Sequence, residues 1–434
     1  MHLISRQTCR ACGSKALKPA IDLGMQYLQG SFVKPGKEIP PQRQIPTTLL
    51  RCDPASDENA CGLLQMQHSV PPKILYAAYW YRSGTNQTMR NHLGRIANAV
   101  VDKIGSGDAT VLDIGCNDGT LLQSYPSTFT KWGVDPSDVA QEIKRPVHVI
   151  QDTFPSAALS QAIGESKFDA ITSIAMFYDL EDPVGFVRQI ASLLAPGGVW
   201  VFEMSYLPEM LRKNSYDTIC HEHLEYYSLA VLESIVRRGG MKIFDASLNE
   251  INGGSIRCFA THANNSKCRD SETLEQLRMQ EFDLELDTDR PYVEFQKRIE
   301  RHRSDLSALL RRFKSEGKSI HVYGASTKGN TLLQWCGIDS SIVECAAERN
   351  PDKFGARTLG TNIPIVSESE SRAMKPDYYL VLPWHFKAEF LERERETLEA
   401  GVGMIFPLPE IEVVTGRQKI ADGIMHLTKG SSGR

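Results

Sequence analysis

The chain has 434 residues, 41% of them aliphatic, aromatic or cysteine, and a formal net charge of −4. That length exceeds one ordinary core and implies about two to four domains. Lysines and arginines are scattered among acids, which excludes the concentrated basic footprint of a nucleic-acid binder. The first residues, MHLISRQTCRACG, lack the apolar core of a secretory signal, and no run approaches the roughly 18 apolar residues of a membrane span. A cytoplasmic protein is expected. Its ten cysteines read as packing residues or metal ligands rather than a disulfide framework.

Residues 1–70 form the first expected domain. Cys9 and Cys12 make a C-x2-C knuckle with Gly13 behind it, and Cys52 and Cys61 follow at a wider C-x8-C spacing. Four thiolates can hold one tetrahedral zinc, and they leave no open position for catalysis, so the metal is expected to be structural. For Cys61 to reach it, DPASDENA between Asp53 and Ala60 has to loop out.

A second domain is expected over residues 71–265. Past Pro71 and Pro72 comes the aromatic stretch KILYAAYWYRSGTN, then a helix over MRNHLGRIANAVVDKI. VLDIGC, KWGVDPS, HVIQDTF, FDAITSIAMFY and GGVWVFEMS then read as five strands separated by helical material, a pattern that implies a doubly wound parallel sheet. The first strand runs into the glycine-bearing turn of VLDIGCNDGTLL, which resembles motif I of the class I methyltransferases. Gly115 and Gly119 permit close backbone approach of a ligand, with Asp113, Asn117 and Asp118 around them. Carboxylates here would repel a pyrophosphate and suit a cationic ligand, which S-adenosylmethionine is. Asp135, after the second strand, is placed to receive a ribose diol. Asp152 and Phe154, after the third, would meet adenine, and Ser173 to Met176, ending the fourth, would line the methionine arm. The GxGxxG fingerprint of a nicotinamide dinucleotide site is absent at Gly115.

After the fifth strand, NSYDTICHEHLEYYS concentrates Tyr216, His221, Glu222, His223, Tyr226 and Tyr227, a density that suits proton transfer. Its HEH lacks the histidine spacing of HExxH metal sites. Residues 266–316 read as a connector of two amphipathic helices. Residues 317–415 read as a second αβ domain, Rossmann-like, opening at HVYGASTKGNTLLQ. There Ser326, Thr327, Lys328 and the amides near Gly329 offer donors and positive charge to a pyrophosphate. Glu348, after the next strand, is placed for a ribose diol, and Trp384 and His385 for a base. Residues 416–434 read as a frayed tail.

Taken in order, the cysteine knuckle, WYRSGTN, DIGCNDGTLL, SYDTICHEHLEYYS, INGGSIR and YGASTKGN make the chain resemble, over nearly its whole length, the C-methyltransferases of nucleotide-linked 4-keto-deoxyhexoses, including those of tetronitrose and mycarose biosynthesis. The resemblance implies a zinc-binding N-terminal domain, a class I methyltransferase core, a C-terminal domain that holds the nucleotide sugar, and S-adenosylmethionine as methyl donor. Assembly as a monomer or weak homo-oligomer is expected. A ketone at C4 acidifies the C3 proton, and by resemblance His223 is the base that makes the enolate, its ordinary pKa lying near neutrality. Glu222 and His221 take positioning or enolate-stabilising roles in either order. Tyr79 and Tyr81 would meet the sugar and Arg82 the phosphate, with Arg257 of INGGSIR as a second phosphate or sugar contact. The family pattern has tyrosine immediately before HEH, whereas this chain has Cys220. Either Cys220 only packs there, or Tyr216 or Tyr226 substitutes.

Overall fold

The computed structural model describes residues 3–34, 36, 43–75 and 81–416. Tyr79 and residues 417–434 of the tail lie outside them. The chain divides into two compact units, one of Met1–Ala20, Leu49–Pro208 and Glu222–Pro291, the other of Ile21–Thr48, Glu209–His221 and Tyr292–Arg434. It passes from the second to the first between His221 and Glu222, inside the HEH triplet.

In the first unit, β2 (Leu64–Met66) pairs antiparallel with the last residues of β1 (Ile45–Cys52). Helix α1 (Gln87–Ile104) starts where the Asn86 side chain accepts from the amides of Thr88 and Met89. It buries Met89, Leu93, Ile96, Ala97 and Val100 at helical spacing and stops at Gly105. There follow β3 (Thr110–Ile114), α2 (Thr120–Ser124), β4 (Thr130–Val134), β5 (Val147–Ile150), β6 (Phe168–Ile174), α3 (Pro183–Leu193) and β7 (Leu194–Ser205). After HEH come β8 (Glu225–Tyr226), α4 (Leu229–Arg238), β9 (Met241–Asn249), β10 (Ser255–His262) and α5 (Glu272–Phe282).

Seven of these strands form one sheet in the order β9-β10-β7-β6-β3-β4-β5. From β7 to β5 all neighbours are parallel, and β10 alone runs against both of its neighbours. Strands covered on both faces need apolar residues throughout, hence TVLDI and VWVFEM with little alternation. Beneath the sheet, Trp200 stacks on Phe202 at 4.0 Å and meets Phe177 edge-on at 5.3 Å.

Helix α6 (Arg290–Ser315) leads into the second unit, where β11 (Ile320–Tyr323), α7 (Thr327–Cys336), β12 (Ala346–Glu348), β13 (Ile365–Ser367), β14 (Tyr378–Val381), β15 (Gly403–Phe406) and β16 (Glu412–Val414) follow. The sheet order is β13-β12-β11-β14-β15-β16, parallel except for β16. Both sheets therefore reverse strand order beside their first strand, at β3 and at β11. Crevices outside the carboxyl ends of strands at such switch points are where open αβ sheets bind ligands. Each glycine turn singled out in the sequence leaves one of these two strands. Among the described residues no helix is long and apolar enough to cross a membrane.

Candidate active site

Strand β3 buries Val111, Leu112 and Ile114 and ends in a turn where Gly115 has a φ of 75°. A Cβ on Gly115 would lie 3.2 Å from Met176 Cγ, so both conformation and space favour glycine. The Asn117 amide donates to Asp135 at 2.9 Å. The turn also fastens residues 81–84: the Ser83 amide donates to Asn117 Oδ1 at 2.9 Å, the Gly84 amide to Asp118 at 2.7 Å, and Asn117 Nδ2 to the Tyr81 carbonyl at 3.1 Å. Asp118 further accepts from Thr120 at the start of α2. Asn117 and Asp118 thus hold the YRSG segment against the glycine turn. Arg82, expected at a phosphate, forms an ion pair with Glu142 at 2.8 Å.

Asp113 is buried and accepts from Thr172 Oγ1 at 2.6 Å. Burial pushes its carboxyl up to about 7, the Thr172 hydrogen bond opposing and the neighbouring Asp135 charge assisting. Asp135, at the end of β4, accepts from the amides of Asn117 and Ser137, which pin both oxygens in place. Past β5, Asp152 accepts from Ser156 Oγ at 2.8 Å, and Phe154 meets Phe186 edge-on at 5.0 Å. Three acids at the ends of three adjacent strands suit a cationic ligand that also carries a diol. Ser173 has a different place from the one expected: it is wholly buried and accepts from the Trp200 indole at 2.7 Å. Period-two alternation explains the difference. Thr172 faces Asp113, so Ser173 faces the aromatic core on the other side of the sheet.

Just past Met176, Tyr178 carries His223. The two ring centroids are 4.3 Å apart at 53°, and the Leu224 amide donates to the Tyr178 carbonyl at 2.8 Å. The half-buried His223 therefore stands at the carboxyl end of β6, within the first unit, beside a half-buried Glu222. His221 belongs to the second unit and is buried. Gln29 gives its amide nitrogen to Gln26, so its oxygen faces His221 and accepts from Nδ1 at 2.7 Å. Thr47 Oγ1 lies 3.4 Å from Nε2. Tyr216 is one of the two tyrosines offered in place of the family tyrosine. It is wholly buried and donates to His302 Nδ1 at 3.0 Å, while His302 Nε2 donates to the Pro407 carbonyl. Tyr226 is buried opposite Leu64 in the β8–β2 pair, and Cys220 is buried in the second unit.

At the second turn Ser326 caps α7, accepting from the Gly329 amide at 3.0 Å. Glu348, ending β12, accepts from the Ala325 amide at 2.9 Å and from the amides of Arg349 and Asn350. Residues 215–221 pack against this helix, with Thr331 Oγ1 donating to the Ile219 carbonyl at 3.2 Å. Asp217 is buried and accepts from the Trp384 indole at 2.9 Å. Burial raises the Asp217 carboxyl and lowers the Lys328 ammonium, each charge partly restoring the other. His385 is pushed down to about 3, first by burial and then by Lys328 and Lys213. The SYDTICH and YGASTKGN motifs thus meet within the second unit, around one lysine.

In the first unit Cys9, Cys12, Cys52 and Cys61 bring their sulfurs within 4.8 Å of one another, with Cys9 to Cys61 and Cys12 to Cys52 at 3.5 Å. Four sulfurs about 2.3 Å from one ion would be spaced about 3.8 Å apart, so the cluster fits tetrahedral zinc. The wide C-x8-C spacing is taken up by turns in which Asp53 accepts from Ser56 and Asp57 from Ser14.

Family models match the chain in three successive stretches: "Putative zinc binding domain" over residues 9–76, "Methyltransferase domain" over 85–245 and "C-methyltransferase C-terminal domain" over 250–409. The C-methyltransferase NovU of Streptomyces niveus is 28% identical over 423 residues, 95% of this chain and 98% of that protein. The chain is an S-adenosylmethionine-dependent methyltransferase, similar to a C-methyltransferase over nearly its whole length, with four cysteines placed to hold a structural zinc. A ubiquinone biosynthesis O-methyltransferase of Colwellia psychrerythraea is 25% identical over 183 residues, 37% of this chain and 72% of that protein. A solved S-adenosylmethionine-dependent methyltransferase from Clostridium acetobutylicum has 16% identity and a TM-score of 0.33, covering 40% of this chain and 92% of that one.

The methyltransferase contains a buried polar group that the motif reading did not include. Glu203, near the end of β7, accepts from Arg257 Nε at 2.8 Å and Asn249 Nδ2 at 3.0 Å and meets His92 Nε2. Arg257, expected at phosphate or sugar, is committed to Glu203. A lone glutamate within the apolar run VWVFEM was the signal, since a buried acid needs partners.

Asp113 supports a prediction on donor binding. A carboxyl raised from 3.8 to about 7 gives stability that is complete below about pH 4 and lost as pH rises through about 7. Ionising it in the unliganded enzyme is costly, and a cationic ligand offsets that cost. Asp113→Asn is expected to raise the melting temperature of the unliganded enzyme near pH 8 and to weaken S-adenosylmethionine binding there. It should also flatten the rise in affinity from about pH 6 to about pH 8, measured by calorimetry. Equal affinities of variant and wild type near pH 8 would remove Asp113 from the donor site.

Proposed function

We propose that the enzyme methylates C3 of a nucleotide-linked 4-keto-6-deoxyhexose or dideoxyhexose, with His223 as the base that removes the C3 proton. The observation that carries this reading is the seating of His223 on Tyr178, at the end of the strand that also brings Met176 to the donor turn. S-adenosylmethionine, when bound, supplies an electrophilic sulfonium methyl. Carbon attack needs a carbanion equivalent, and an imidazole titrating near neutrality suits the deprotonation of a carbon next to a ketone. Asp113 and Asp135 hold the donor, Asp152 and Phe154 its adenine end, and Glu222 orients the sugar or the imidazole. Tyr81 meets the sugar, a role the family resemblance also gives to Tyr79. In the second unit, Ser326 and Lys328 bind the diphosphate, Glu348 the nucleoside ribose, and Trp384 with His385 the base.

The test is incubation with dTDP-, GDP- and CDP-linked 4-keto-6-deoxyhexoses, locating the new methyl by mass spectrometry and NMR. Methyl at C3, together with deuterium uptake there in heavy water without donor, is the expected result. A methyl on oxygen, or no turnover across the panel, would refute the reading. Lys328→Met is expected to raise KM for the nucleotide sugar roughly 10- to 150-fold, the loss of a charged hydrogen bond worth about 1.5–3 kcal/mol, with kcat at saturation little changed. An unchanged KM would move the diphosphate elsewhere.

A further inference from the structure

We infer that Arg10, between two cysteines of the zinc knuckle, is a positioning residue for His223, so that the knuckle sets the geometry of the proposed base as well as its own local fold. The inference rests on the reading of His223 as base. Arg10 has a wholly buried side chain that reaches two separate supports. On one side, Nη1 donates to Gln65 Oε1 at 3.1 Å and the Met66 carbonyl at 2.8 Å, Nη2 donates to Ser69 Oγ at 2.8 Å, and its own amide reaches Gln65 Oε1 at 3.1 Å. On the other side, Nε donates to Glu181 at 3.3 Å.

Each support leads to one ring of the His223–Tyr178 pair. Gln65 lies opposite Glu225 in the β2–β8 pair, and the Met66 amide donates to the Leu224 carbonyl at 2.8 Å, one residue from His223. Glu181 stands three residues after Tyr178, in the segment whose Phe177 carbonyl accepts from Tyr227 at 3.3 Å. A planar fork with five donors can hold two such elements at a fixed separation, and lysine cannot. A displacement of about 1 Å in a reacting group costs about a hundredfold in rate, so a residue that fixes both rings acts on kcat without touching substrate.

The experiment compares wild type, Arg10→Met and Glu181→Gln as full-length zinc-loaded enzyme. The readouts are zinc content, S-adenosylmethionine affinity, donor-free C3 deuterium exchange, and kcat and KM with the nucleotide ketosugar. Arg10→Met is expected to keep one zinc and donor affinity within about twofold, while exchange and kcat fall at least tenfold and KM changes little. If Arg10→Met loses zinc, Glu181→Gln decides alone. That carboxylate is partly exposed, is not one of the four cysteine ligands and also pairs with Arg6 at 3.2 Å, and its variant should hold zinc and lose exchange about three- to tenfold. Full exchange and kcat in the variant that retains zinc would overturn the role of Arg10. No exchange in wild type would overturn the base reading instead, and with it this inference.

Discussion

Replacing His223 with alanine is expected to lower donor-free C3 exchange and methyl transfer together by about 10²- to 10⁴-fold, the range in which a positioned general base contributes. The two rates should fall in parallel because enolate formation precedes carbon attack, and a variant that cannot form the enolate presents no nucleophile. Donor affinity should stay within about twofold, since the acids proposed to hold the donor stand on β3, just past β4 and in the loop after β5, each fixed by its own hydrogen bonds to Thr172, Ser137 and Ser156. Exchange kinetics by NMR and donor binding by calorimetry check the two halves. Full exchange with lost transfer would free His223 from the base role and leave it a part in methyl geometry. Full exchange with full transfer would remove it from the mechanism. Glu222→Gln gives a useful contrast. A residue that only orients the imidazole or sugar leaves the base in place, so its loss should be smaller than that of His223.

The sequence made the two sheets legible because their strands are apolar runs separated by helices, and because each first strand is marked by a glycine turn. Asp113, Asp135 and Asp152 could be placed by the same argument, since the end of a buried strand is where an acid has work to do. Reading failed where side chains chose partners far along the chain. Arg82 and Arg257 looked available for phosphate, yet Glu142 and Glu203 take them, 60 and 54 residues away. Ser173 was misplaced for a different reason, since its strand alternates faces and the Thr172 bond to Asp113 fixes which face is which. Tyr216 is consumed by His302, 86 residues away. No local pattern links Arg10 to Gln65 and Glu181, and only the folded chain brings the knuckle to the strand that bonds Leu224.

Removal of the metal is expected to unfold the cysteine-bearing part of the first unit and, through it, to stop turnover while the donor still binds. The cysteine-bearing loops are tied by bonds such as the Gly13 amide to the Cys9 carbonyl at 2.9 Å, the Cys9 amide to the Ser14 carbonyl at 2.8 Å, the Asp53 amide to the Ala16 carbonyl at 2.8 Å and the Cys52 amide to the Leu63 carbonyl at 2.8 Å. Structural zinc supplies apparent folding energies of about 10–16 kcal/mol in small modules, against about 1 kcal/mol for a single hydrogen bond. Cys12→Ser, or a strong chelator on wild type, should give loss of zinc by elemental mass spectrometry, a new low-temperature unfolding transition and early proteolysis between residues 1 and 70. Donor affinity should persist because β3 to β6 build the donor turn without any of the four cysteines. Methyl transfer should fall with the metal, since β2 pairs with β8 directly after His223. Cobalt in place of zinc should restore the fold and the rate together, because four thiolates leave the metal no position at which to act on substrate. A chelated enzyme that keeps its melting curve and protease pattern would show that the cysteines hold their fold without an ion. One that unfolds locally yet turns over at full rate would cut the link from the knuckle to His223.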